Sequence, residues 1–160
     1  MFVLGGLVCA TWLSAQDYQK TAYGIKAAAG GVDVEVQFFT PSVVRVVKSP
    51  QGEHFEKKSL AVVASPGEVG VKVGIKDGAI VMDTKVLQVN LDTSTGAFSY
   101  RTADGKFLLA EKPVEKPFVP FDDAGDATYN VYQAFKLDAD EAIYGLGPVS
   151  YTHLRAHETS

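Results

Sequence analysis

The chain has 160 residues, 46% of them apolar and 21% charged, and a net charge of -4. That length holds one domain with a sizeable core, since roughly two thirds of the unfolded surface is buried at this size. The mild acidity excludes the basic face that nucleic-acid binding needs, and lysines stand singly or in pairs (Lys57, Lys58), as on a solvated surface.

The chain opens on an uncharged apolar run, Phe2–Leu13, followed by Ser14, Ala15 and Gln16. A transmembrane helix needs about 20 apolar residues. The run is shorter, and the small residues after it fit the h-region and cleavage site of a secretory signal peptide over residues 1–15. The expected localisation is therefore secreted or periplasmic, of bacterial type, with no transmembrane segment. Cys9, the single cysteine, lies inside the run. A domain starting at Gln16 would have no disulfide framework and no thiol chemistry.

From here the pattern is β-like. Val32, Val34, Val36 and Phe38 alternate with Asp33, Glu35 and Gln37, which predicts a half-buried strand after Gly30-Gly31. Thr40-Pro41-Ser42 is a turn. Val43–Val47 is apolar on both faces apart from Arg45, as in a strand covered on both sides. Ser49-Pro50-Gln51-Gly52 breaks the pattern. Leu60–Ala64 is a short apolar run ended by Ser65-Pro66-Gly67. Val71, Val73 and Ile75 form a strand that turns at Asp77-Gly78, a hairpin signal, into Ile80 and Met82. Leu87, Val89 and Leu91 alternate with polar residues. A loop over residues 92–96 leads to Phe98 and Tyr100, and Asp104-Gly105 turns the chain back into Phe107-Leu108-Leu109. A connector broken by Pro113, Pro117 and Pro120 follows, then the acidic loop of residues 122–126. Tyr129, Val131, Gln133, Phe135 and Leu137 read as one further strand. No window carries apolar residues at helical spacing with helix caps. The expectation is all-β, an antiparallel β-sandwich or barrel.

Three segments, in this order, carry a resemblance: TPSVVRVVKSP (residues 40–50), VNLDTSTGAFSYRTADGKFLLAE (89–111) and FKLDADEAIYGLG (135–147). Together they resemble the amino-terminal β-sandwich of family 31 glycoside hydrolases, which are retaining α-glycosidases including α-glucosidases and α-xylosidases. The resemblance implies a galactose-mutarotase-like supersandwich over residues 16–147. It also implies, as partners, a catalytic (β/α)8 barrel and that barrel's carbohydrate substrate. In the family two aspartates of the barrel act as nucleophile and acid/base, about 5 Å apart in a retaining mechanism. None of their motifs occurs here, so no catalytic residue carries over and the chain is expected to be inactive by itself. Tyr144, Gly145 and Gly147 match the family segment that meets the barrel. Glycines there would admit close backbone approach, and the tyrosine offers an apolar body with a polar tip. Residues 148–160 depart from the family pattern and resemble a translated sequencing adapter, so they are expected to lie outside the domain.

Several constellations invite a sharper chemistry. Asp122 and Asp123 on the acidic loop are candidates to reach a bound sugar. Asp138, Asp140 and Glu141 look like a calcium loop but lack its spacing, and read as a solvated turn. His153 and His157 have zinc-pair spacing without a helix around them, and His54 stands alone between two strands. No metal and no cofactor are expected. Tyr100, Tyr129 and Tyr132 could form a row of aromatics for sugar stacking, against the plainer reading of cross-strand packing. The alternative function is therefore a free-standing carbohydrate-binding or interaction module of the cell envelope.

Overall fold

The structure is a computed structural model that describes residues 18–53, 62–138 and 141. Residues 1–17, with the expected signal peptide, and His54, Asp140, Tyr144, Gly145, Gly147 and the 148–160 segment lie outside the described residues.

Twelve strands, and no helix, occur among the described residues. The first sheet has β1 (Gln19–Lys20), β2 (Gly24–Ala29), β3 (Val32–Thr40) and β4 (Val43–Pro50) in sequential order. The second has six strands: β5 (Lys72–Lys76), β6 (Ala79–Asp83), β7 (Leu87–Asp92), β8 (Phe98–Thr102), β9 (Phe107–Lys112) and β12 (Ala134–Lys136). Between β9 and β12 the chain forms a separate two-stranded hairpin, β10 (Phe118–Asp123) with β11 (Asp126–Val131). Every strand pair is antiparallel. The fold is an antiparallel β-sandwich, as the alternation predicts.

Period-two patterning decides what meets in the middle. Val32, Val34, Val36 and Phe38 of β3 are buried, as are Ile80, Met82, Leu87, Val89, Leu91 and Phe98 of the facing sheet. Burying such a side chain stabilises the fold by about 1.5–3 kcal/mol each relative to leaving it exposed. Turn chemistry fixes the registers. Asp77 and Gly78 both take positive φ, 51° and 77°, the geometry a tight two-residue hairpin requires. Gly30 and Gly31 do the same at 59° and 77° and close β2 onto β3.

The two sheets lock at both ends. At one end Thr84 Oγ1 donates to the Pro41 carbonyl at 2.6 Å, joining the β6–β7 turn to the β3–β4 turn. At the other, the Gly30 N–H donates to the Thr93 carbonyl at 3.1 Å. A Cβ on Gly30 would lie 2.3 Å from the Thr95 carbonyl carbon, and one on Gly96 would lie 2.8 Å from the Ala29 carbonyl oxygen. Each turn occupies the space that a side chain on the other would need.

Three expectations need correction. The β4 segment is not fully enclosed: Val43 is exposed and the residues after it are partly buried on both faces, in a strand at the edge of its sheet. Its outer row, Val43, Arg45, Val47 and Ser49, mixes apolar and polar side chains. The run Tyr129–Leu137 is not one strand. It ends β11 at Val131, breaks at Tyr132-Gln133, and enters the large sheet as β12 beside β9. Alternation cannot reveal a change of partner when the period is kept. Finally, the proline-broken connector contains β10. Pro120 sits in that strand opposite Tyr129, tolerated because a two-stranded hairpin has only edges.

Candidate functional site

The Gly30/Gly96 end of the sandwich opens into a pocket of about 500 Å³, walled by the ends of β4, β8 and β9 and by the base of the β10–β11 hairpin. It forms because two inward positions at this end carry charge instead of hydrocarbon. On β3, Val32, Val34 and Val36 face the core, and their partners on β4 are Pro50, Lys48 and Val46. The inward row of β4 therefore reads Val44, Val46, Lys48. On β9, Glu111 is 95% removed from solvent, at 5% exposure.

The two charges meet across the sheets. Lys48 Nζ lies 2.6 Å from Glu111 Oε2 and also donates to the Gly96 carbonyl at 2.9 Å. Glu111 Oε2 further accepts the Phe98 N–H at 2.9 Å, and Oε1 accepts Gln133 Nε2 at 2.7 Å. Lys48 Nζ is also 5.1 Å from the centre of the Phe98 ring, close enough for a cation–π contribution. A buried ion pair whose two carboxylate oxygens both accept hydrogen bonds, three in all, offsets much of the desolvation penalty that a lone charge would carry. Neither Lys48 nor Glu111 stands out in the sequence as functional. The available signal is the lysine that interrupts the inward row of β4, which carries weight only once the register is known.

Aromatic groups line the rest. Tyr100 stacks on Phe98 with ring centres 6.1 Å apart. Burial, then the nearby Glu111 carboxylate, pushes its phenol well above the usual range. Its hydroxyl makes no hydrogen bond among the described residues. Tyr129 packs edge-on against Phe118 with centres 6.1 Å apart, and its hydroxyl donates to Glu53 at 2.5 Å. That bond pins the hairpin to the turn after β4 and raises the Tyr129 phenol pKa. Tyr132, half exposed, also lines the pocket. The structure thus brings Tyr100, Tyr129 and Tyr132 to one cavity.

Asp122 and Asp123 lie elsewhere. They end β10 at the exposed tip of the hairpin, where Asp122 Oδ1 accepts the Gly125 N–H at 2.8 Å. Ala124 and Gly125 there take φ of 54° and 99°. Asp122 caps this turn, and Asp123 faces solvent. Asp138 and Glu141 bond to each other, the Glu141 N–H donating to the Asp138 carbonyl at 3.0 Å and Glu141 Oε2 accepting the Asp138 N–H at 3.2 Å. Among the described residues no three His, Cys, Asp or Glu side chains gather in a metal-holding group.

Residues 33–158 match the family described as the glycosyl hydrolase 31 N-terminal galactose mutarotase-like domain. The chain belongs to this family. The family 31 domain is 29% identical over 119 residues to an alpha-xylosidase from Saccharolobus solfataricus, covering 74% of this chain and 16% of that protein. It is also similar to the crystal structure of a GH31 alpha-xylosidase from Xanthomonas citri, with a TM-score of 0.72 and 28% identity, covering 81% of this chain and 14% of that one. The domain therefore spans less than a fifth of the length of either relative. The resemblance in residues 40–50, 89–111 and 135–147 holds at the level of family and fold. Lys48 and Glu111 fall in the first two of those segments.

Proposed function

We propose that this domain is the non-catalytic N-terminal sandwich of a secreted retaining α-glycosidase, of α-xylosidase or α-glucosidase type, whose chemistry resides in a catalytic barrel. The observation that carries this reading is the family match over residues 33–158. Similarity to two alpha-xylosidases leans it toward α-xylosides. The apolar leader supports export, and a mature product beginning at Gln16 would check it.

In this reading the domain buttresses the barrel through the segment containing Tyr144, Gly145 and Gly147, and the hairpin tip with Asp122 and Asp123 extends toward sugar bound there. The purified chain is expected to show no turnover of an aryl α-xyloside or α-glucoside. Hydrolysis by the chain alone would overturn the non-catalytic role. Source DNA beyond the Gly147 codon is expected to encode a (β/α)8 barrel with two strand-borne aspartates, and a frame encoding anything else would refute the parent. Unchanged kinetics after replacing Asp122 and Asp123 by asparagine in the barrel-bearing protein would remove the hairpin's role.

A further inference from the structure

We infer that the pocket at the Gly30/Gly96 end is itself a binding site for a neutral sugar, a mono- or disaccharide, held between Tyr132 and Tyr129 and read by polar atoms of the Lys48–Glu111 cluster. This goes beyond the role as a buttress and does not require a barrel.

Four features of the cavity carry it. Its volume of about 500 Å³ falls in the range typical of small-molecule sites, roughly 300–1,000 Å³. Its charged lining balances: Lys48 and Lys112 against Glu53 and Glu111. The wall carries no net charge to favour an anion or a cation, and a neutral polar molecule regains through hydrogen bonds the hydration it gives up. Three tyrosines line it, and the electron-rich face of an aromatic ring suits the weakly positive C–H face of a pyranose. Polar capacity is also left over. Among the described residues the Tyr100 hydroxyl is unbonded. The Lys48 ammonium uses two of its three protons, on Gly96 and Glu111. Gln133 donates its amide to Glu111 and keeps its carbonyl oxygen. These are a hydroxyl, a donor and an acceptor on one cavity, the complement of a vicinal diol. Apolar walls with few convergent polar groups are the usual form of a ligand site.

The experiment titrates the full chain with D-xylose, D-glucose and maltose by calorimetry and by saturation-transfer NMR, with glucuronate and glucosamine as charged comparisons. Saturable binding of a neutral sugar is expected, with saturation transfer to the ligand's ring C–H protons. Tyr132→Ala, at a half-exposed position, is expected to weaken binding about 10-fold with an unchanged circular dichroism spectrum. Tyr100→Phe, which keeps the ring, is expected to weaken it several-fold. Three outcomes would overturn the inference: no saturable binding of any neutral sugar, binding indifferent to both substitutions, or a charged sugar bound more tightly than its neutral parent. None depends on whether a barrel exists, so failure here leaves the proposed function standing, and the reverse.

Discussion

Lys48 and Glu111 show how one pair of residues sets the character of a whole end of the sandwich. Removing one partner of a buried pair leaves a charge without an answer, at a cost of about 3–5 kcal/mol. The Glu111 side chain is 4% exposed and that of Lys48 is 21% exposed, so the carboxylate is the group that would be stranded. Lys48→Met is expected to destabilise by about 3 kcal/mol. The double variant with Glu111→Gln, which keeps an acceptor for the Phe98 N–H, is expected to recover at least half of that. Urea midpoints of the two single variants and the double give the coupling directly. Simple additivity would mean the pair contributes as two independent surface groups.

Turns and strands carry the next level, and here the glycines separate two effects. Gly30 and Gly31 share one turn and both have positive φ. A Cβ on Gly31 meets nothing within 4 Å, whereas one on Gly30 enters the Thr95 carbonyl. Gly31→Ala is therefore expected to cost about 1–2 kcal/mol, the left-handed strain alone. Gly30→Ala should cost clearly more, because the β7–β8 loop must be pushed away, and thermal melts of the two variants would rank them. Equal losses would mean that the loop yields freely. This level also marks what was legible in the sequence. Asp77-Gly78 and the alternations in β3 and β7 were readable because backbone preference and one-sided burial act locally. The β10–β11 hairpin was not. Its proline looks like a strand breaker, and its turn residues, Ala124 and Gly125, are not a common hairpin pair. The pocket was less legible still. Tyr100, Tyr129 and Tyr132 could be named as a group, but only the break at Tyr132-Gln133 and the cross-sheet register bring them to one cavity with Lys48 and Glu111.

For the molecule as a whole, ionisation bounds the stable range from both sides. Asp92 is held below the usual carboxylate range, first by the Ser94 hydroxyl and then by the Thr95 N–H, and Asp104 is lowered first by the Thr102 hydroxyl. A depressed folded pKa gives stability that is present above the unfolded value of 3.8 and lost as pH falls through the folded one. Tyr100 works in the opposite sense. Its folded pKa is raised, so its contribution is complete below 10.0 and declines as pH climbs above that value, where the unfolded chain ionises first. Stability measured by denaturant melts is expected to be level near neutrality, to fall below about pH 4, and to fall again above about pH 10. Tyr100→Phe should flatten the alkaline limb relative to the parent, and an unaltered limb would assign it to other groups. One connection in this fold has a mechanical reading. The strand switch passes through two residues, and the second, Gln133, grips the carboxylate that Lys48 holds from the opposite sheet. The hairpin is thus tethered at its base by that amide and further along by the Tyr129–Glu53 bond. A sideways push at its tip would load the interior knot through the first tether and the β4 turn through the second.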